Sequence, residues 1–383
     1  MLNPKNFKPD KLAVLERYLR DRVIGQEEAI QRVINYLNVA FADMNDPKKP
    51  LAVLFFAGPT GVGKTEMSLA LADYFFRRQH KQFKKSVMAT ESNDVALTPD
   101  AEKKSKKEDF TSCLIRVDCG RYSGSMGHGV IDLLGAPTSY LGHSKVPPIL
   151  SPVSFPGDRV VVLLFDEIEK ALFSEHGGDN IRGILMSILD YASIVNNMKE
   201  EVKFTRTVII FTSNLGSREI LTEASQRKLG FRQRRPLKHV SDEEIGVLNQ
   251  QILTTVTKKY EEVIPPELRA RIGSPIVFSF LTKKDLIRIL HKEINALKIT
   301  LLNGHRIDLD ISKTLFTWLL DNTDSENGIR QMQALIRIEI KNGLARILNT
   351  KDNPIQLKLD AADDVVVKLM ADIRNGQIIF WLP

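Results

Sequence analysis

Cysteine is scarce: the 383 residues hold two, Cys113 and Cys119, six apart in SCLIRVDC. That spacing lacks the close pairs of a zinc site and the density of a disulfide framework, so two reduced, buried thiols account for them. The histidines at 80, 128, 143, 176, 239, 291 and 305 show no ligand spacing either. No apolar run approaches the roughly 20 residues that a membrane-spanning helix needs. The opening MLNPKNFKPDKLAVLERYLR carries charges throughout and no apolar core of a leader peptide. With no internal repeat, a single module in a cytoplasmic chain without a membrane partner is the expectation. At 43% hydrophobic and 26% charged, the composition is that of an ordinary globular protein.

The net charge is +7 and the pI about 9.2, which by itself raises nucleic acid as a partner. The excess is local, however. Between Arg77 and Lys107 nine Lys/Arg stand against four Asp/Glu, a net +5, and the remainder is near balance. Residues 80 to 109 have little apolar periodicity and read as a flexible basic insertion whose charge is solvated. Nucleic acid is therefore the weaker expectation.

Chemistry enters with GPTGVGKT at Gly58 to Thr65. The apolar run LAVLFFA precedes it and the helix-competent EMSLALADYFF follows, which is the strand, loop and helix context of a phosphate-binding loop. In such a loop, here Gly58, Pro59, Thr60, Gly61, Val62 and Gly63, the three glycines let the backbone turn its N–H groups towards phosphates, at the positive end of the following helix. Lys64 is expected to reach the terminal phosphates and Thr65 to ligate Mg²⁺. VVLLFDE at Val161 to Glu167 supplies an acidic partner string. Asp166 at the end of a buried strand is placed to hold the metal, and Glu167 to orient or deprotonate a water. Together the strings point to hydrolysis of ATP with Mg²⁺, beyond binding.

Apolar runs at LAVLFFA, SCLIRVD, RVVVLLFD, RTVIIFTSN and SPIVFSF alternate with helical or loop sequence, which suits an α/β domain with a five-stranded parallel sheet covered on both faces. Helical patterns at about 10 to 20 and 26 to 43 precede the first strand. After Leu281 the pattern changes to a long helix, KKDLIRILHKEINALKITLL, then further helices and short strands, with Asn375-Gly376 as a hairpin signal. A large domain over 1–281 and a small α+β domain over 282–383 follow from this.

The order of these strings resembles the AAA+ superfamily, and within it the second ATPase module of the Clp disaggregases and unfoldases. The resemblance covers nearly the whole chain. It begins at RVIGQEEAI, Arg22 to Ile30, similar to the family segment that packs on adenine, and implies Val23 and Ile24 as contacts. It continues through DEIEKA (Asp166 to Ala171) and TSNLGS (Thr212 to Ser217), which implies Asn214 as the polar sensor that holds the attacking water. PPELRARIG, Pro265 to Gly273, is similar to the arginine-finger segment; register implies Arg271 acting on a neighbouring copy's nucleotide, with Arg269 the competing assignment. NGIRQMQALIR, Asn327 to Arg337, implies Arg330 as a second sensor in a lid-like small domain. GAPTSYLGH, Gly135 to His143, is similar to the pore-loop string and implies that Tyr140, with Leu141 and Gly142, grips a polypeptide in the channel of a ring.

The implied activity is that of an ATP-driven protein unfoldase or remodelling motor, working as a homo-oligomer, in this family a hexamer. A nucleic-acid remodelling ATPase and an ATP-gated scaffold with weak hydrolysis are the alternatives. KLGF places Leu229, Gly230 and Phe231 where protease-docking relatives carry their docking tripeptide, against an ordinary turn as the bland reading. Departures are present as well. Extra residues near Glu175 to Gly178 and Asp190-Tyr191-Ala192 in place of the family's Asp-Asp-Gly bear on signalling between subunits. With the sequence starting just before RVIGQ, neither a substrate-receiving domain nor a first ATPase ring is expected ahead of it, and substrates would come through a partner or adaptor.

Overall fold

The five apolar runs pair into one parallel sheet in the computed structural model, which describes residues 9–42, 44–90, 113–122, 128–136, 148–173, 178–216, 242–323, 328–350, 366–374 and 376–382. The strands are β1 (Ala52–Ala57), β2 (Leu114–Asp118), β3 (Val161–Asp166), β6 (Thr207–Ser213) and β7 (Ile276–Val277), in the order β2-β3-β6-β1-β7. All neighbouring pairs are parallel. Every residue of β3 and β6 is buried, which is why their sequences, VVLLFD and TVIIFTS, are apolar almost without alternation.

Register places Phe55 opposite Phe211 and Phe165 opposite Phe211. Their rings form a row across three strands, 6.3 Å and 5.4 Å between centroids, and Tyr260 meets Phe55 edge-on at 4.7 Å. Each such fully buried aromatic contributes about 1.5–3 kcal/mol of hydrophobic stabilisation. The same register brings the C-terminal ends of β1, β3 and β6 to one edge of the sheet, where ligands of open α/β sheets bind.

Helices α1 (Pro9–Arg22) and α2 (Glu27–Phe41) precede the sheet, and α3 (Lys64–Thr90) leaves the phosphate-loop string. The helix α3 corrects one expectation: 80–90 are helical, so the presumed flexible insertion does not begin at His80. Lys, Gln, Ala and Met in HKQFKKSVMAT are good helix formers, and neither Gly nor Pro interrupts them. The rest of that expected insertion, 91–109, lies outside the described residues. Further on come α4 (His128–Leu134), α5 (Ile168–Leu172), α6 (Gly178–Tyr191), α7 (Asp242–Val263) and α8 (Pro266–Ile272). A small antiparallel pair, β4 (Ser193–Val195) with β5 (Glu201–Lys203), lies between α6 and β6 and has no counterpart in the five-strand expectation.

Contacts divide the chain into two units: Met1–Gly58, Gly63–Arg218 and Ile252–Phe278 form the first, and Pro59–Val62, Glu219–Gln251 and Ser279–Pro383 the second. The second unit contains α9 (Lys283–His305), β8 (Ile307–Ile311), α10 (Lys313–Asp321), α11 (Gly328–Leu335), a π-helical stretch at Ile336–Lys341, α12 (Asn342–Leu348), β9 (Val367–Arg374) and β10 (Gln377–Trp381). Its sheet runs β10-β9-β8, with β9 parallel to β8 and antiparallel to β10. Thr282 starts α9 with a reciprocal capping box: its side chain accepts from the Asp285 N–H at 3.2 Å and its own N–H donates to Asp285 at 3.0 Å, satisfying two otherwise orphaned donors.

Candidate functional site

At the end of β1 the chain enters the loop through Gly58, whose φ is +144°. A Cβ there would lie 2.4 Å from the Phe278 carbonyl oxygen, and Phe278 is itself fixed by donating its N–H to Ala57 at 2.8 Å. Only glycine fits. Gly63, at φ +109°, would place a Cβ 3.2 Å from Val23; Val23 and Ile24, the expected adenine contacts, are buried. Lys64 is the first residue of α3, so the loop opens directly onto a helix N-terminus.

Lys64 is buried, and its ammonium donates to the Gly58 carbonyl at 2.7 Å and to Asn214 Oδ1 at 2.9 Å. The Asn214 amide nitrogen in turn donates to Glu167 Oε1 at 3.2 Å. One side chain thus bridges the cation of the loop and the carboxylate of the acidic strand. Its backbone N–H is held by Glu169 at 3.3 Å.

A second relay fixes the acidic pair. Thr212, buried on β6, donates its hydroxyl to Asp166 Oδ1 and accepts the Glu167 N–H at 3.1 Å. Arg116 on β2 donates to the other Asp166 oxygen at 2.5 Å. Glu167 adopts φ 58° and ψ 52°, a left-handed conformation that costs a non-glycine residue about 1–2 kcal/mol. This departure points its carboxylate back to Asn214 on one oxygen and to Lys170 on the other. The hydrogen bond to Glu167 is the largest reason that the Lys170 pKa is raised.

The segment ahead of the loop is tied to α3 by charge. Arg22 donates to Glu66 at 2.7 Å and to Asp73 at 2.8 Å, and Tyr18 and Arg77 also bond Asp73. Burial pushes the Asp73 pKa up, but the hydrogen bonds from Arg77 and Tyr18 and the charges of Arg77 and Arg22 outweigh it and hold the carboxyl below its ordinary value. Arg22 directly precedes Val23 and Ile24, so this cluster anchors the expected adenine segment to the phosphate-loop helix.

Of the arginines, Arg271 lies in the last turn of α8, with its side chain 29% exposed, and donates Nε to Asp190 at 2.7 Å. Arg269 has its Nε buried and without a hydrogen-bond partner. Arg330 is an exposed residue of α11 in the second unit. Tyr140, Leu141 and Gly142, and likewise Leu229, Gly230 and Phe231, lie outside the described residues. Thr212, Arg116, Glu169 and Lys170 are participants that the sequence reading did not single out. Thr212 and Lys170 lay within the quoted strings TSNLGS and DEIEKA; Arg116 was marked only by being the one charge inside LIRV.

The arrangement suits a phosphate chain and its metal. A helix N-terminus, a glycine cradle and a buried ammonium fit an anion; the Asp166 carboxylate and the Thr65 hydroxyl are hard oxygen donors of the kind Mg²⁺ takes. Among the described residues no group of three or more His, Cys, Asp or Glu is placed to hold a metal ion. None of the described helices is long and apolar enough to cross a membrane.

The family model described as "AAA domain (Cdc48 subfamily)" matches residues 49–274, more than half of the chain, including the loop, the acidic strand, Asn214 and Arg271. The chain belongs to this AAA family. A second model, the C-terminal, D2-small domain of ClpB protein, matches residues 281–356. The fold is accordingly an AAA+ α/β domain followed by a small ClpB-type C-terminal domain. Similar curated proteins include chaperone protein ClpB 1 of Parasynechococcus marenigrum (strain WH8102), 28% identical over 93% of this chain and 34% of its own length. The probable chaperone protein ClpB 1 of Chlorobaculum tepidum is 28% identical over 94% of this chain and 70% of its length, and ClpB of Porphyromonas gingivalis 28% over 94% and 35%. This AAA chain thus spans about a third of the length of most of these relatives. The family and the relatives point to an ATPase.

Proposed function

We propose that this chain is an ATP-dependent protein-remodelling motor of the Clp type. The observation that carries the reading is the hydrogen-bonded bridge Lys64–Asn214–Glu167 at the C-terminal edge of the sheet; in this reading the three serve as phosphate-binding cation, polar sensor and general base. ATP would lie along Gly58 to Thr65 with adenine against Val23 and Ile24, and Thr65 and Asp166 would hold Mg²⁺. When bound, the metal neutralises charge on the terminal phosphates. The Lys64 ammonium exchanges its Gly58 and Asn214 acceptors for phosphate oxygens. Asn214, released at Oδ1, orients a water against the terminal phosphorus, and a Glu167 carboxylate oxygen takes the proton as the new P–O bond forms and the bond to ADP breaks.

In this reading Arg271 of a neighbouring copy adds positive charge over the phosphates, and Arg330, in a small domain taken to begin at residue 282, is the second sensor that the resemblance implies. The working form is a hexameric ring in the cytoplasm that threads protein substrates past Tyr140, Leu141 and Gly142. A peptidase docked at Leu229 to Phe231 is a further expectation of the resemblance. The test is ATP turnover with Glu167→Gln and Lys64→Ala, alongside binding of a fluorescent ATP analogue. Glu167→Gln is expected to bind ATP yet lose about 10²–10⁴-fold in turnover, the usual scale for a general base; Lys64→Ala is expected to lose binding. Turnover by Glu167→Gln at the parent rate would remove the assignment. Stimulation of the parent by DNA or RNA and not by unfolded protein would replace the protein-remodelling reading with a nucleic-acid one.

A further inference from the structure

Arg271 is held in a way that a surface arginine does not need. Its Nε donates to Asp190 Oδ1 at 2.7 Å and its Nη1 to the Glu267 carbonyl of its own helix at 2.6 Å. Asp190 comes from another element, the end of α6, and is itself bonded by Lys49 at 3.4 Å on the same oxygen. The guanidinium is thus pinned on two of its nitrogens, while Nη2 has no protein partner among the described residues. An arginine so fixed has lost most of the rotamer freedom that a flexible cation would have to give up on meeting a phosphate. Arg269, two residues earlier on the same short helix, has its Nε buried instead.

We propose that Asp190 is the positioning residue that presents Arg271 to the nucleotide of a neighbouring copy of this chain. The proposal rests on reading Arg271 as a residue that acts in that neighbour, and it names what sets its geometry. In this role Asp190 acts through Arg271, and Lys49 donates to the same Asp190 oxygen at 3.4 Å.

The experiment uses full-length chains carrying Asp190→Ala, Asp190→Asn, Asp190→Glu or Arg271→Ala, assayed for ATP turnover alone and mixed with an excess of Lys64→Ala chains. A Lys64→Ala chain has a dead site of its own but an intact Asp190–Arg271 pair to lend. Asp190→Ala and Asp190→Asn are expected to lower kcat by up to about 10²-fold, the scale for a group misplaced by an ångström, with binding of a fluorescent ATP analogue unchanged. Mixing with Lys64→Ala chains should raise turnover per active site, and Asp190→Glu should recover part of the loss. Parent-level kcat in Asp190→Asn beside an inactive Arg271→Ala overturns the proposal and leaves the reading of Arg271 standing. Parent-level kcat in Arg271→Ala itself removes that reading, and the proposal with it. A loss in Asp190→Asn that mixing does not relieve places the effect within its own chain and also overturns the proposal.

Discussion

Replacing Thr212 by Val keeps the shape of a fully buried side chain and removes one hydroxyl. That hydroxyl serves two clients: it donates to Asp166 and accepts the N–H of Glu167. A hydrogen bond to a charged group is worth about 1.5–3 kcal/mol, and a buried donor left without an acceptor costs about 1–3 kcal/mol. Part of this returns because valine suits a buried strand. The expected net loss is about 2–4 kcal/mol, which corresponds to about 30-fold to 10³-fold faster exchange of the most protected amides. Hydrogen exchange followed by mass spectrometry is the appropriate assay. Both tryptophans, Trp318 and Trp381, lie in the second unit, so their fluorescence would report the wrong part of the chain, whereas peptides from β3 and β6 report the affected sheet directly. Thr212→Ser should retain parent-like protection in these peptides. If Thr212→Val peptides from β3 and β6 exchange at the parent rate, the relay contributes nothing and the account of how Glu167 is held in its left-handed conformation is wrong.

Other perturbations probe separate parts of the site. Gly58→Ala is expected to abolish binding of a fluorescent ATP analogue, because its Cβ would meet the Phe278 carbonyl at 2.4 Å; binding at parent affinity would show that the loop relaxes around a methyl group. Asp73→Asn should flatten the acid limb of the stability curve. The folded Asp73 pKa is depressed, so its stabilisation is fully present above the unfolded value of about 3.9 and is lost as pH falls through the lower folded value. Urea titrations from pH 6 downwards should show a shallower loss in the variant; identical slopes would mean that the Arg22 cluster does not couple to folding. Asn214→Ala should bind ATP and turn it over slowly, and a parent-like kcat would separate the Lys64–Glu167 bridge from catalysis.

The parts of this molecule that could be read from its sequence are those whose physics is local. Continuous apolar runs such as VVLLFD and TVIIF announce strands buried on both faces, and GPTGVGKT carries its own turn geometry and helix start. The extension of α3 to Thr90 was obscured because its lysines look like solvated loop, although nothing in them breaks a helix. The β4–β5 pair was missed because its strands are three residues each and their connection depends on left-handed Lys199, φ 63°. Thr212 and Arg116 were missed for a different reason: each meets Asp166 only through strand register, across about 50 residues of sequence. The same holds for Asp190 and Arg271, which α6 and α8 bring together.

The central claim is that the phosphate loop and acidic pair form a hydrolytic site completed by an arginine from another copy of the chain. The most direct measurement is ATP turnover in a titration of Lys64→Ala chains against Arg271→Ala chains. Each variant alone should be inactive, and mixtures should regain turnover with a maximum at intermediate ratios, because only there does an intact Lys64 face an intact Arg271. Inactivity at every ratio, with both variants folded and assembling, would contradict the account.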